Sequence, residues 1–119
     1  MLNLNSIMLG SEKPQELAAF YEKVLDRKPD MVDGDWYGFV AGSCFISIGS
    51  HDKVKGKSAQ PERVMLNFET KEVKEEFARI KALGATVVSE PYQMGDTVWI
   101  ATFADPDGNY FQLMTPWEE

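Results

Sequence analysis

Few residues in this chain have the types on which catalysis usually draws. There is one histidine, His51, and one cysteine, Cys44, in 119 residues. Asp105 and Asp107 are paired carboxylates, the groups that general acid–base chemistry uses. Each has a simpler reading. A Ser-His-Asp relay needs an imidazole held between nucleophile and acid. His51 instead opens a polar run to Glu62 that carries Lys53, Lys55, Lys57, Gly56 and Pro61. That run reads as an exposed loop, with its imidazole in solvent. Cys44 alternates with Ile46 and Ile48, which marks a buried thiol and not a nucleophile. Asp105 and Asp107 flank Pro106 and precede Gly108-Asn109. Proline presets φ to about −65°, glycine supplies positive φ, and aspartate bonds the turn backbone. The turn therefore accounts for both carboxylates. Gly42, Gly49 and Gly108 lack the strand, glycine loop and helix context of a phosphate site.

What remains is a set of neutral polar residues among large apolar ones. The Asp105–Asn109 turn fixes the alternation of the strand that follows it. Phe111 and Leu113 then share one face, and Tyr110, Gln112 and Met114 the other. In residues 64–68 the same alternation sets Val64, Leu66 and Phe68 against Met65 and Asn67, with Glu69 following on the second side. The more apolar set belongs beneath a helix. The opposite faces then offer Asn5 and Ile7 from a strand over residues 2–9, and Phe45 and Ser47 from one over 44–48. Trp99 and Ala101 are assigned to this open side from a strand over 98–103. A concave apolar surface with a few convergent polar groups is the usual form of a small-molecule site. The expected ligand contacts are Asn5, Phe45, Ser47, Met65, Asn67, Trp99, Tyr110, Gln112 and Met114.

The elements that must hold these residues recur in two passes. Leu17, Phe20, Tyr21, Val24 and Leu25 repeat at helical spacing, with Pro14 suited to the first turn. Trp36–Val40 and Cys44–Ile48 are aromatic and β-branched runs split by Gly42-Ser43, a hairpin signal. The second pass has Val64–Phe68, then a helix from a Thr70 cap with Val73, Phe77, Ile80 and Leu83 on one face and Gly84 as its stop. Residues 86–89 read as a short strand, 91–96 as a loop, and 98–103 with 110–115 as the closing hairpin. The pattern is βαβββ twice, an internal repeat of whole units. Module one covers about 1–50, a linker about 51–61 and module two about 62–119 of a single domain.

Composition bounds the partners. Hydrophobic content of 44% and charged content of 26% are those of a globular protein. A net charge of −7 disfavours nucleic acid and anionic membranes, which need clustered Lys and Arg. Asn3, Asn5 and Ser6 break the N-terminal apolar residues, so no signal peptide or spanning helix is expected. A single cysteine permits no intrachain disulfide and suits the cytoplasm.

The repeat, the helix ending Ala18-Ala19-Phe20-Tyr21-Glu22-Lys23-Val24-Leu25, and the Asp105-Pro106-Asp107-Gly108-Asn109 turn together resemble the vicinal oxygen chelate superfamily. That superfamily holds glyoxalase I, bleomycin-resistance proteins, fosfomycin-resistance enzymes and extradiol dioxygenases. The resemblance implies an α+β fold. Two βαβββ modules form a curved mixed sheet with a concave cup, helices on the convex side, often in a homodimer. It also implies up to four metal ligands, usually His, Glu or Gln. These positions fall at Asn5, Ser47, Met65 and Gln112. Two amides, a hydroxyl and a thioether supply no charge to a divalent ion, so neither metal nor other cofactor is expected. The expectation is a metal-free binding protein that sequesters a neutral or aromatic small molecule in its cup. Its rivals are a metal-dependent lyase, isomerase or transferase, and a structural or regulatory dimer with a filled cup.

Overall fold

Both amphipathic stripes are helices in a computed structural model that describes residues 1–117. α1 spans Pro14–Leu25 and α2 spans Val73–Ala82. Pro14 begins α1, where its missing N–H would have had no helical partner. Leu17, Ala18, Tyr21 and Val24 form the buried stripe of α1. Val73, Phe77 and Ile80 form that of α2. Thr70 lies two residues before the cap position, Glu72, and accepts that residue's N–H through Oγ1 at 3.0 Å. Gly84, at φ 93°, stops the helix in a conformation that costs other residues energy.

The chain divides into two compact units, Met1–Gly56 and a second beginning at Lys57. In the first, β1 (Ser6–Ser11), β2 (Met31–Asp33), β3 (Trp36–Ala41) and β4 (Cys44–Ser50) form a sheet in the order β1-β4-β3-β2. β1 runs parallel to β4, and the other pairs are antiparallel. α1 packs on β1, β3 and β4. Tyr21, Phe39 and Ile48 are fully buried there.

The second unit repeats this order. β5 (Leu66–Glu69), β6 (Thr86–Met94), β7 (Val98–Ala104) and β8 (Tyr110–Met114) lie as β5-β8-β7-β6, with β5 parallel to β8. Under α2, Phe77 stacks on Phe103 at 5.0 Å between ring centroids, and Phe103 on Phe111 at 5.5 Å. Phe68 meets Phe111 edge-on at 5.9 Å. Aromatic pairs in such geometries add about 0.5–1.5 kcal/mol beyond the area they bury. Two mixed four-stranded sheets, each with one helix, make the α+β architecture expected. No helix among the described residues is long and apolar enough to cross a membrane.

Four boundaries differ from expectation. β1 begins at Ser6, not at residue 2, because β4 supplies partners only from Phe45 onward. β2 was not distinguishable in sequence. It is held by Asp30, whose carboxylate accepts the Val40 N–H and an Arg27 guanidinium N–H, both at 2.7 Å. The Val40 bond, then Arg27, holds that carboxyl below its ordinary pKa. β5 starts at Leu66 after a 3-10 turn at Pro61–Arg63, which leaves Val64 exposed instead of beneath the helix. β6 continues through the expected loop to Met94. Pro91 is tolerated because β6 is an edge strand with register shifts on either side of Ser89.

The β7–β8 turn is tied by one buried carboxylate. Asp105 Oδ1 accepts the backbone N–H of Asp107 at 2.9 Å and of Asn109 at 3.0 Å. Its Oδ2 accepts Asn109 Nδ2–H at 3.0 Å. Gly108 takes φ 79° and donates its N–H to Asp105 O at 2.9 Å. Asp105→Ala is expected to cost about 2–4 kcal/mol, because several donors lose their acceptor in a buried turn. Asp105→Asn, which keeps one acceptor oxygen, is expected to recover part of it. Urea unfolding of the two variants checks both.

Candidate functional site

Each sheet has one face under its helix and one face turned from it, and the second unit's open face is ordered by the turn. Asp105 N–H donates to Asn109 O at 2.8 Å, which places Ala104 opposite Tyr110. Thr102 then lies opposite Gln112, and Ile100 opposite Met114. Across β8 the parallel partner of Gln112 is Asn67, and that of Met114 is Glu69. Tyr110, Gln112, Met114 and Asn67 therefore share the open face as expected. Met65 lies just before β5, on the same side by alternation. Gln112 Nε2 donates to Thr102 Oγ1 at 3.0 Å. Thr102 is buried, Gln112 half-buried and Asn67 exposed. One amide is held in place and its neighbour faces solvent.

Trp99 is not on that face. It shares the alternation of Ala101 and Phe103, and Lys74 of α2 stands over its ring with Nζ 3.9 Å from the centroid. The expected facing of Trp99 and Ala101 is thus reversed. The physical reason is the hairpin: once Phe111 goes under α2, its partner Phe103 must follow, and Trp99 with it. Thr102, which sequence reasoning missed, takes their place beside Gln112. The turn carried the signal, since its register fixes both strands.

The first unit's open face is set by β1 and β4. Ser47 pairs with Met8, and Phe45 with Ser6. Ile7 pairs with Ile46 on the helix side, so the expected facing of Asn5 and Ile7 is also reversed. Asn5 precedes β1, is exposed, and uses its carbonyl to accept the Phe45 N–H at 3.0 Å. Met8 is the residue that stands beside Ser47. Phe45 and Ser47 lie where expected. Trp36 also belongs here: a Cβ on Gly49 would collide with its indole. A Cβ on Gly38 would likewise meet the Phe45 ring. Glycine inside a strand often marks such a close approach, the signal by which Trp36 could have been found.

Other chemistry is limited. His51 Nδ1 accepts the Lys53 N–H at 3.1 Å within its own exposed loop. Cys44, expected to be buried, is only half-buried, because it is the first residue of β4. The Asp105 oxygens are committed to the turn, and Asp107 Oδ2 is enclosed with no hydrogen-bond partner among the described residues. Neither is placed to move a substrate proton. The family resemblance marks Asn5, Ser47, Met65 and Gln112 for metal; Asn5 lies before β1 and Met65 before β5, and Met8 and Asn67 are the residues paired with Ser47 and Gln112. A thioether, a hydroxyl and two neutral amides do not fit a divalent ion. Among the described residues no three His, Cys, Asp or Glu side chains gather as a metal site. Gln112 and Thr102 are coupled by their bond. Thr102→Val alone is expected to cost about 1 kcal/mol, and Thr102→Val with Gln112→Leu to cost less than the separate losses together. A double-mutant cycle by chemical denaturation measures this.

A family model described as a glyoxalase-like domain matches residues 6–114. No curated protein matches the chain by sequence. Among solved structures, the chain is similar to a glyoxalase/bleomycin resistance protein/dioxygenase family enzyme from Burkholderia phytofirmans PsJN. The identity is 22% and the TM-score 0.77, covering 96% of this chain and 98% of that one. A glyoxalase-related enzyme from Fulvimarina pelagi gives 16% and 0.79 over 98% and 89% of the two chains. A glyoxalase/bleomycin resistance protein from Albidiferax ferrireducens T118 gives 18% and 0.74 over 94% and 98%. At these identities the likeness is one of fold.

Proposed function

The chain belongs to the glyoxalase-like domain family of the vicinal oxygen chelate superfamily, and we propose that it is a metal-free binding protein for a neutral or aromatic small molecule. It sequesters the ligand and does not transform it. The observation that carries this reading is Gln112. Its amide is already oriented by Thr102 and lies beside exposed Asn67 on the sheet face turned from α2, which also carries half-buried Tyr110 and buried Met114. A fixed neutral amide among apolar side chains recognises an uncharged hydrogen-bonding group and offers a cation no charge. The reading includes a cytoplasmic homodimer, with Cys44 kept as a free thiol.

Metal analysis separates this from the metal-dependent alternative. After incubation with Ni²⁺, Mn²⁺ or Zn²⁺ and dialysis, the protein is expected to retain far less than one ion per chain. Stoichiometric metal that is lost on Gln112→Ala would overturn the proposal. A thermal-shift screen of uncharged metabolites and antibiotics tests binding directly. A true ligand at 100 times its Kd adds about 2.7 kcal/mol to stability. An empty screen across a broad library would favour a structural role.

A further inference from the structure

The first unit's open face carries two strand-interior glycines for which the backbone gives no reason. Gly38 and Gly49 lie in the adjacent strands β3 and β4 without a positive φ. Glycine there weakens a strand and gives it no side chain to pack. What they permit is the seating of two rings. At Gly49 the indole atoms Cδ2, Cε3 and Cζ3 of Trp36 all lie at nearly equal distance from where a Cβ would stand. The six-membered ring therefore meets the glycine by its face. At Gly38 the tip of the Phe45 ring reaches over the missing side chain, with Cε2 at 2.9 Å from that position. Ser47 is the register partner of Gly38 and lies between Phe45 and Gly49 along the same face of β4.

A ring whose one face rests on backbone turns its other face away from the sheet. The apolar side chains around this bed are Met8, Met31 and Val40, which are 51%, 41% and 40% exposed. Large apolar side chains left to water beside a flat indole form a surface that a ligand can desolvate. Asp33, the register partner of Trp36, shares this face on the edge strand β2, so an anionic occupant would meet a like charge. We propose that Trp36, lying on Gly49, and Phe45, lying over Gly38, form a stacking bed for a planar, fused-ring molecule without negative charge that hydrogen-bonds Ser47. This rests on the small-molecule reading above and names its ligand class.

The test uses the full chain and three probes: lumichrome, a neutral planar tricycle; 1-adamantanol, neutral and globular; and tetramethylammonium, a cation. Lumichrome is expected to bind saturably, with quenching of tryptophan fluorescence, and the other two at least about tenfold more weakly. Gly49→Ala lifts the indole and is expected to weaken lumichrome at least about tenfold. Trp36→Leu should do the same, and Trp36→Phe should keep most of the affinity. If Gly49→Ala does not fold, the Trp36 pair decides alone. Lumichrome affinity unchanged in Trp36→Leu overturns the bed. Adamantanol or other non-planar compounds binding in preference to lumichrome overturns the planar class and leaves the binding reading standing. Failure of every compound in the broad screen overturns the binding reading itself.

Discussion

The buried Asp105 carboxylate governs more of the second unit than its size suggests. By accepting N–H groups from Asp107 and Asn109, it fixes where β7 ends and β8 begins. A hairpin register is all or nothing, because a slip of one residue moves every side chain to the opposite face. With Ala104 held opposite Tyr110, Phe103 must meet Phe111 beneath α2 and Thr102 must meet Gln112 on the open face. The aromatic stack and the amide–hydroxyl pair are thus two consequences of one turn.

The two units share a strand order and differ in what they present. The first turns aromatic rings and thioethers from its helix, seated on glycine. The second presents amides and a hydroxyl, with Glu69 at the end of β5. At Gln112 the neutral group has a local physical meaning. A carboxylate in Gln112's place would sit against the buried Thr102 hydroxyl and need a cation to offset its desolvation. The amide needs none.

Much of this was legible in the chain. The helical stripes follow from the spacing of Leu17, Tyr21 and Val24 and of Val73, Phe77 and Ile80, and these residues are the buried ones. The β8 alternation followed from the turn. Asn5 and Trp99 were misplaced for a shared reason. Alternation divides a strand into two faces but does not say which face meets the helix. In β1 the two faces are almost equally apolar, Ile7 and Leu9 against Met8 and Gly10, so composition could not choose. β2 and the length of β6 were hidden because their neighbours hold them in the sheet: Asp30 on one side and bulged pairing with β7 on the other.

The sequence by itself determined the two helices, most of the strands, the family and the residue types available on each strand. These depend on local periodicity, turn chemistry and residue type. Tertiary structure decided which residues stand together: Met8 and not Asn5 beside Ser47, Thr102 and not Trp99 beside Gln112, and Trp36 flat upon Gly49. Strand facing is set by pairing with a partner distant in the chain. A missing Cβ acquires its meaning only from the ring that another strand lays across it.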